Sequence, residues 1–210
     1  MRKPERVKAV LAALNDRYPH EDVCYLNYSQ PHELLIATIL SAQCTDDRVN
    51  IVTADLFVKY PTLEAFAKAN LAEMEQDVKS TGFYRNKAKN IIACTQMLLT
   101  EFGGELPSSV EELTQLAGVG RKTANVVRCH IFGLPSVVVD THVMRISKRL
   151  GLTRNTDPVK IEFDLMKCLP KADWIRYNHQ IIAFGREICK APKAKCYLCF
   201  MTDFCPAFKK

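Results

Sequence analysis

No stretch of this 210-residue chain approaches the ~18 consecutive apolar residues of a membrane-spanning helix, so a transmembrane helix is excluded. The opening Met1-Arg2-Lys3-Pro4 leads into a helical pattern, not an apolar secretory stretch, and no export signal is expected. No period of about 20 to 50 residues repeats, which argues against solenoids and propellers, and no low-complexity linker breaks the chain. Strand signals are also missing. Val137-Val138-Val139 is a compact β-branched run, but three residues are too few to anchor a sheet. What remains is a succession of roughly ten helices with short connections, the pattern of an all-α protein.

With 48% hydrophobic residues the chain can build a real core, and its length suits one large domain or two small ones. The net charge of +6, from 29 basic and 23 acidic residues, is compatible with DNA binding without proving it. Nine cysteines are many for a protein without an export signal, and four of them crowd the C-terminus. Outside an oxidising compartment, such clustering argues for metal over disulfides. Cys24, Cys44, Cys94, Cys129 and Cys168 are spaced without pattern and read as small buried hydrophobes.

In chain order, Val7, Val10, Leu11 and Leu14 fall at helical spacing and give an amphipathic first helix. Pro31 opens a helix that is apolar nearly all round from Leu34 to Leu40, which marks it as buried and as the centre of the fold. Thr45 or Asp46 is placed to cap the next helix. Asn70-Leu71-Ala72-Glu73 and Ser108-Ser109-Val110-Glu111 read as capping boxes, and a long helix runs from about Tyr84 to Phe102 between them. Asp157-Pro158 starts a further helix and Asp173-Trp174 the last long one.

Two glycines two apart, Gly118 and Gly120, flank Val119 directly before Arg121-Lys122-Thr123-Ala124-Asn125. Glycine permits positive φ and close backbone approach, and a helix start offers N–H groups and partial positive charge to an anion. A nucleic-acid phosphate fits this arrangement, held through the backbone without reading base sequence. A Gly-x-Gly corner also serves plain helix packing. A solvated lysine is neutral to only on the order of 0.04% at pH 7, and attack on a sugar carbon needs the neutral amine. A second cation at a helix start supplies that bias for Lys122. Eighteen residues on, Asp140 ends the valine run and stands as an N-cap, which by itself is a structural role. Arg145, Lys148 and Arg149 on the following helix read as a solvated basic face.

Cys189, Cys196, Cys199 and Cys205 have the spacing C-x6-C-x2-C-x5-C and close within 17 residues. On spacing alone, zinc and a [4Fe–4S] cluster compete on equal terms, although zinc ribbons more often pair two C-x2-C knuckles and only one is present. Lys190, Lys193 and Lys195 between the first two cysteines offset thiolate charge or grip a DNA backbone.

L-x-G-V-G-R-K-T-A-N-V-V from Leu116, followed by V-D-T-H-V from Val139, resembles the helix-hairpin-helix and catalytic aspartate of the endonuclease III DNA glycosylases. One departure is Ala117, where that family commonly has proline. The four-cysteine spacing resembles the family's cluster loop, which settles the preference for [4Fe–4S]. L-S-A-Q-x-T-D from Leu40 resembles the segment whose glutamine fills the hole left by a flipped nucleotide, a role this implies for Gln43. Thr81-Gly82-Phe83-Tyr84 resembles the second wedge loop, with Phe83 in place of the usual aliphatic tip; an aromatic can also insert between base steps.

The resemblance covers nearly the whole chain and implies an all-α fold of two helical lobes. One is a six-helix barrel with the helix-hairpin-helix, residues 23–134. The other is a discontinuous iron–sulfur lobe, residues 1–22 and 135–210, with DNA across the cleft where Lys122 and Asp140 face each other. It implies Lys122 as Schiff-base nucleophile and Asp140 as essential carboxylate. DNA contacts are expected at Gln43, Phe83, Gly118, Val119, Gly120, Arg121, Thr123 and Lys193, and cluster ligation at Cys189, Cys196, Cys199 and Cys205. The implied function is a bifunctional base-excision-repair glycosylase that removes oxidised pyrimidines and cleaves the abasic site 3′ by β-elimination. Its expected partner is double-stranded DNA with damaged pyrimidines or abasic sites, acted on by a monomer in the cytoplasm, at the nucleoid if the source is bacterial. The alternatives are an adenine- or thymine-mismatch glycosylase, or a non-catalytic cluster-bearing DNA-binding module. The adenine-specific enzymes lack the nucleophilic lysine and usually carry an extra C-terminal domain, while the pair Lys122 and Asp140 argues against a non-catalytic module.

Overall fold

A computed structural model describes residues 1–19 and 24–208. The described residues contain eleven α-helices and no strand, so the all-α expectation holds, including over Val137–Val139, which stays irregular. The chain divides into two compact units, one of Cys24–Leu134 and one of Met1–Val23 with Pro135–Lys210. The expected lobe boundary at residues 22 and 23 falls outside the described residues.

The first unit is built on α2 (Pro31–Leu40), whose residues from Glu33 to Leu40 are all buried. Proline at its first turn presets the helical φ, and Glu33 reaches back to accept the Gln30 N–H at 3.0 Å. Around it lie α3 (Asp46–Lys59), α4 (Leu63–Ala67), α5 (Leu71–Asp77), α6 (Tyr84–Glu101), α7 (Val110–Leu113) and α8 (Arg121–Phe132). Their starts follow the sequence: Thr45 accepts the Arg48 N–H at 3.3 Å, and Asn70 accepts those of Ala72 and Glu73 at 2.9 and 3.2 Å. The cap of α7 falls one residue later than the sequence suggested. Ser109, not Ser108, accepts the Glu112 N–H at 3.1 Å and donates to the Glu112 carboxylate at 2.6 Å. The core joins Leu34, Leu35, Leu40, Phe66, Ile91, Leu98, Leu113 and Val127, drawn from five of these helices. Cys94 lies within it, and burial pushes its thiol up to about 12, the behaviour of an inert hydrophobe.

The second unit joins α1 (Lys3–Arg17) to α9 (Thr141–Arg149), α10 (Pro158–Cys168) and α11 (Trp174–Glu187). Val10 and Leu14 of α1 are fully buried with Ile181 and Phe184 of α11. Gln180 of α11 fastens this pairing by donating to Asn15 Oδ1 at 2.9 Å and the Tyr18 carbonyl at 3.1 Å. Helices α9 and α11 pack closely. A Cβ at Gly185 would lie 2.2 Å from His142 Nδ1, so glycine is what allows the approach. The buried Tyr177 hydroxyl pairs with Ser147 Oγ at 2.8 Å, which satisfies both inside an apolar core.

Candidate functional site

The candidate residues fall in both units. In the first, Leu116 and Val119 are buried and fix the turn between α7 and α8, closed by Val119 N–H to the Leu116 carbonyl at 3.1 Å. Gly118 takes φ +76° there. Gly120 caps α8 without a side chain, and a Cβ built on it meets nothing within 4 Å. The first bond within α8 is Ala124 N–H to the Gly120 carbonyl at 2.9 Å, so the amides of Arg121, Lys122 and Thr123 precede the helical ladder. A helix start of this kind, open at Gly120, can accept an anion through its backbone N–H groups. Lys122 is exposed on the first turn of α8 and Arg121 half-buried, whereas Thr123 and Val119 are buried. Thr123 can therefore offer a ligand its backbone N–H and not its side chain, while the Val119 N–H is already used within the turn.

Gln43 and Phe83 share a property that sequence does not display. Both hold the left-handed backbone conformation, with φ of 54° and 49°, and no other non-glycine residue among those described has positive φ. Such conformations cost about 1–3 kcal/mol for bulky residues and cluster at functional sites. Both are exposed, Phe83 to 64%, an unusual state for a phenylalanine on a well-packed unit.

In the second unit, Asp140 is the N-cap of α9, and its Oδ1 accepts the Val143 N–H at 2.7 Å. The cap uses Oδ1, one of the two carboxylate oxygens. The approach to Asp140 is fixed by a side chain the sequence reading passed over. Asn178 of α11, itself buried, donates to the Val138 carbonyl at 2.9 Å and satisfies the irregular valine run. His142 is half-buried. Burial lowers its pKa, opposed by the neighbouring Asp140 and reinforced by Arg145 and Arg186.

Cys189, Cys196, Cys199 and Cys205 line one cavity of about 220 Å3 together with Arg149, Leu150, Phe184, Ile188 and Met201. Four cysteine sulfurs lining one cavity are the donor set of a thiolate-bound iron–sulfur cluster. Burial raises the Cys199 thiol, and Cys189, Cys205 and Cys196 raise it further against one hydrogen bond from Met201. Donors for thiolate sulfur are also present: Arg149 Nη1 lies 3.3 Å from Cys189 Sγ, and the Met201 N–H 3.4 Å from Cys199 Sγ. The residues therefore fit a [4Fe–4S] group. Arg149 is thus more than the solvated face the sequence suggested. Lys193 is exposed on the loop between the first two cysteines, as is Lys190.

Residues 36–171 match the family described as HhH-GPD superfamily base excision DNA repair protein. The chain is 50% identical to Endonuclease III of Synechocystis sp. over 206 residues, 98% of this chain and 94% of that one. It is 47% identical to Endonuclease III of Bacillus subtilis over 202 residues, 96% and 92% of the two chains. Its fold is similar to the solved structure of a trapped endonuclease III–DNA covalent intermediate, an estranged-adenine complex. That comparison gives a TM-score of 0.94 and 44% identity, covering 99% of this chain and 97% of the other.

Proposed function

The chain belongs to the HhH-GPD superfamily of base excision DNA repair proteins, in its endonuclease III family, and from that premise we propose that it is a bifunctional DNA glycosylase and abasic-site lyase acting on oxidised pyrimidines in duplex DNA. The observation that carries this reading is the exposed amine of Lys122, on the first turn of α8 directly after Gly120, where the helix start has open space. A DNA phosphate bound to the amides of that helix start brings the neighbouring sugar to the lysine. No base is read in this step, as suits an enzyme that meets its lesions in every sequence context.

In the proposed reaction, Gln43 and Phe83 enter the duplex and fill the space vacated by the flipped nucleotide. Asp140 stabilises positive charge on the sugar as the glycosidic bond breaks, through the oxygen not used in capping, and assists in taking a proton from the lysine. The Lys122 nitrogen lone pair attacks C1′, and the base departs with the glycosidic bonding electrons and is protonated. Ring opening gives an iminium, which acidifies the C2′ hydrogen. Loss of that proton drives β-elimination, and the C3′–O bond breaks with the electrons going to the phosphate. Water then hydrolyses the Schiff base and frees the lysine. The four cysteines would hold a [4Fe–4S] cluster, which when bound cross-links positions 189, 196, 199 and 205 and stiffens the loop carrying Lys190 and Lys193. Those lysines would meet the DNA backbone. The protein is proposed to act as a monomer, on lesion-bearing or abasic double-stranded DNA.

Borohydride reduction on duplex DNA carrying one thymine glycol tests the reading. Reduction of the iminium should leave protein and DNA covalently joined. Absence of any trapped species on both thymine glycol and an abasic site would remove the lyase assignment.

A further inference from the structure

Lys87 is a charged side chain buried at the base of both insertion loops. It is 4% exposed, on the face of α6 that also buries Ile91, Cys94 and Leu98. An apolar residue would be the ordinary choice at that position, because desolvating an ammonium is costly. Burial pulls the Lys87 pKa below the usual lysine range, with only Cys44 opposing. The compensation is specific. Lys87 Nζ donates to the Leu40 carbonyl at 2.8 Å and to the Thr81 carbonyl at 2.7 Å.

These two carbonyls are the bases of the two loops. Leu40 ends α2, where unpaired carbonyls carry partial negative charge, and Gln43 is three residues beyond. Thr81 ends a short 3₁₀ turn, and Phe83 is two residues beyond. The backbone of Lys87 adds a third hold, since its own N–H donates to the Phe83 carbonyl at 3.1 Å. One residue thus grips the second loop on both sides of Gly82 and ties it to the first. With tethers so short, the separation of the two bases governs the separation of the two tips.

We propose that Lys87 is a positioning residue that couples Gln43 and Phe83 into a single two-pronged insertion unit, so that neither prong works at full strength without the other. The proposal rests on the insertion roles given above for Gln43 and Phe83. It makes the left-handed tips intelligible: the surrounding loop holds each tip in its strained conformation, and the buried ammonium holds their spacing.

The test reads nucleotide extrusion without chemistry. Full-length protein binds a duplex with a tetrahydrofuran abasic analogue, which forms no Schiff base, opposite 2-aminopurine, whose fluorescence reports unstacking. Gln43→Ala, Phe83→Ala and the double variant are compared in the native background and with Lys87→Met, which keeps length and removes the charge. In the native background the double variant should extrude within about twofold to threefold of the weaker single variant. With Lys87→Met the two losses should multiply, a change of about tenfold in the coupling ratio, within the range seen for residues sharing a network. Lys87→Arg should restore the native ratio. A merely structural lysine would lower melting temperature and scale every variant alike, leaving the ratio unmoved, and that result overturns the proposal while sparing the insertion roles. If neither single variant changes extrusion in the native background, the insertion roles fail and the coupling fails with them. Should Lys87→Met not fold, Lys87→Gln, too short to span both carbonyls, is read by the same ratio.

Discussion

Asn90 of α6 stands against Gly118: a Cβ built on that glycine would lie 2.8 Å from the Asn90 Cβ and 2.9 Å from its amide nitrogen. Helix α6 is thus the wall against which the turn into α8 is pressed. The two glycines of the turn are consequently glycines for different reasons. Gly118 has φ +76° and no room, whereas Gly120 has φ −86° and open space.

Gly118→Ala should therefore damage the fold, by about 1–3 kcal/mol from overpacking with the φ penalty added, lowering the melting temperature by several degrees. Gly120→Ala should change stability by less than about 0.5 kcal/mol. It should still weaken DNA binding by about tenfold, roughly the worth of one hydrogen bond to a charged group. Parallel melting curves and DNA titrations separate the two. Equal melting losses would mean that Gly120 is also a packing glycine.

Gln43 and Phe83 should show the opposite sign of trade. Replacing either with glycine relieves a left-handed conformation, so melting temperature should hold or rise by a few degrees, about 1 kcal/mol. Excision from duplex DNA should fall at the same time. Action on a ready-made abasic site should fall less, because that site is extruded more easily. Equal losses on the two substrates would point to a plain binding defect.

Asp140 and Lys122 should separate in their effects on chemistry. Asp140→Asn keeps an oxygen for the Val143 N–H, so folding should survive while base excision drops by about 10²–10⁴-fold. Lys122→Gln should retain DNA binding, since the helix start binds through its backbone, yet give no borohydride-trapped species. Trapping by Lys122→Gln at native efficiency would assign the nucleophile to another amine.

The cysteine cavity makes a compositional prediction. Anaerobically purified protein should carry about four irons per chain and absorb in the blue. One zinc and no iron would remove the cluster assignment. Cys199→Ser, or chelation of the iron, should lower hydrogen-exchange protection around Phe184, Ile188 and Met201, which line the cavity. The core around Leu34, Ile91 and Val127 should keep its protection, because it belongs to the other unit.

Much of this protein is determined locally, and those parts were legible in the chain. The apolar run of α2, the caps at Thr45, Asn70, Asp140 and Asp157, and the glycine turn before α8 follow from side-chain periodicity and hydrogen-bonding range within four residues. The endonuclease III motifs are short and contiguous, so the family could be named from them. Contacts across distant segments could not be read in this way. The sequence contains Lys87 in phase with Ile91 and Leu98, a cation on an apolar stripe, but the acceptors that explain it lie 47 and 6 residues away. Asn178 holding Val138 across 40 residues, Gly185 yielding space to His142, and Arg149 reaching Cys189 are of the same kind. A local pattern records which face of a helix is buried. Which carbonyl, sulfur or ring waits on the other side is decided only when the helices pack, because only then does water leave and each buried polar group need its own partner.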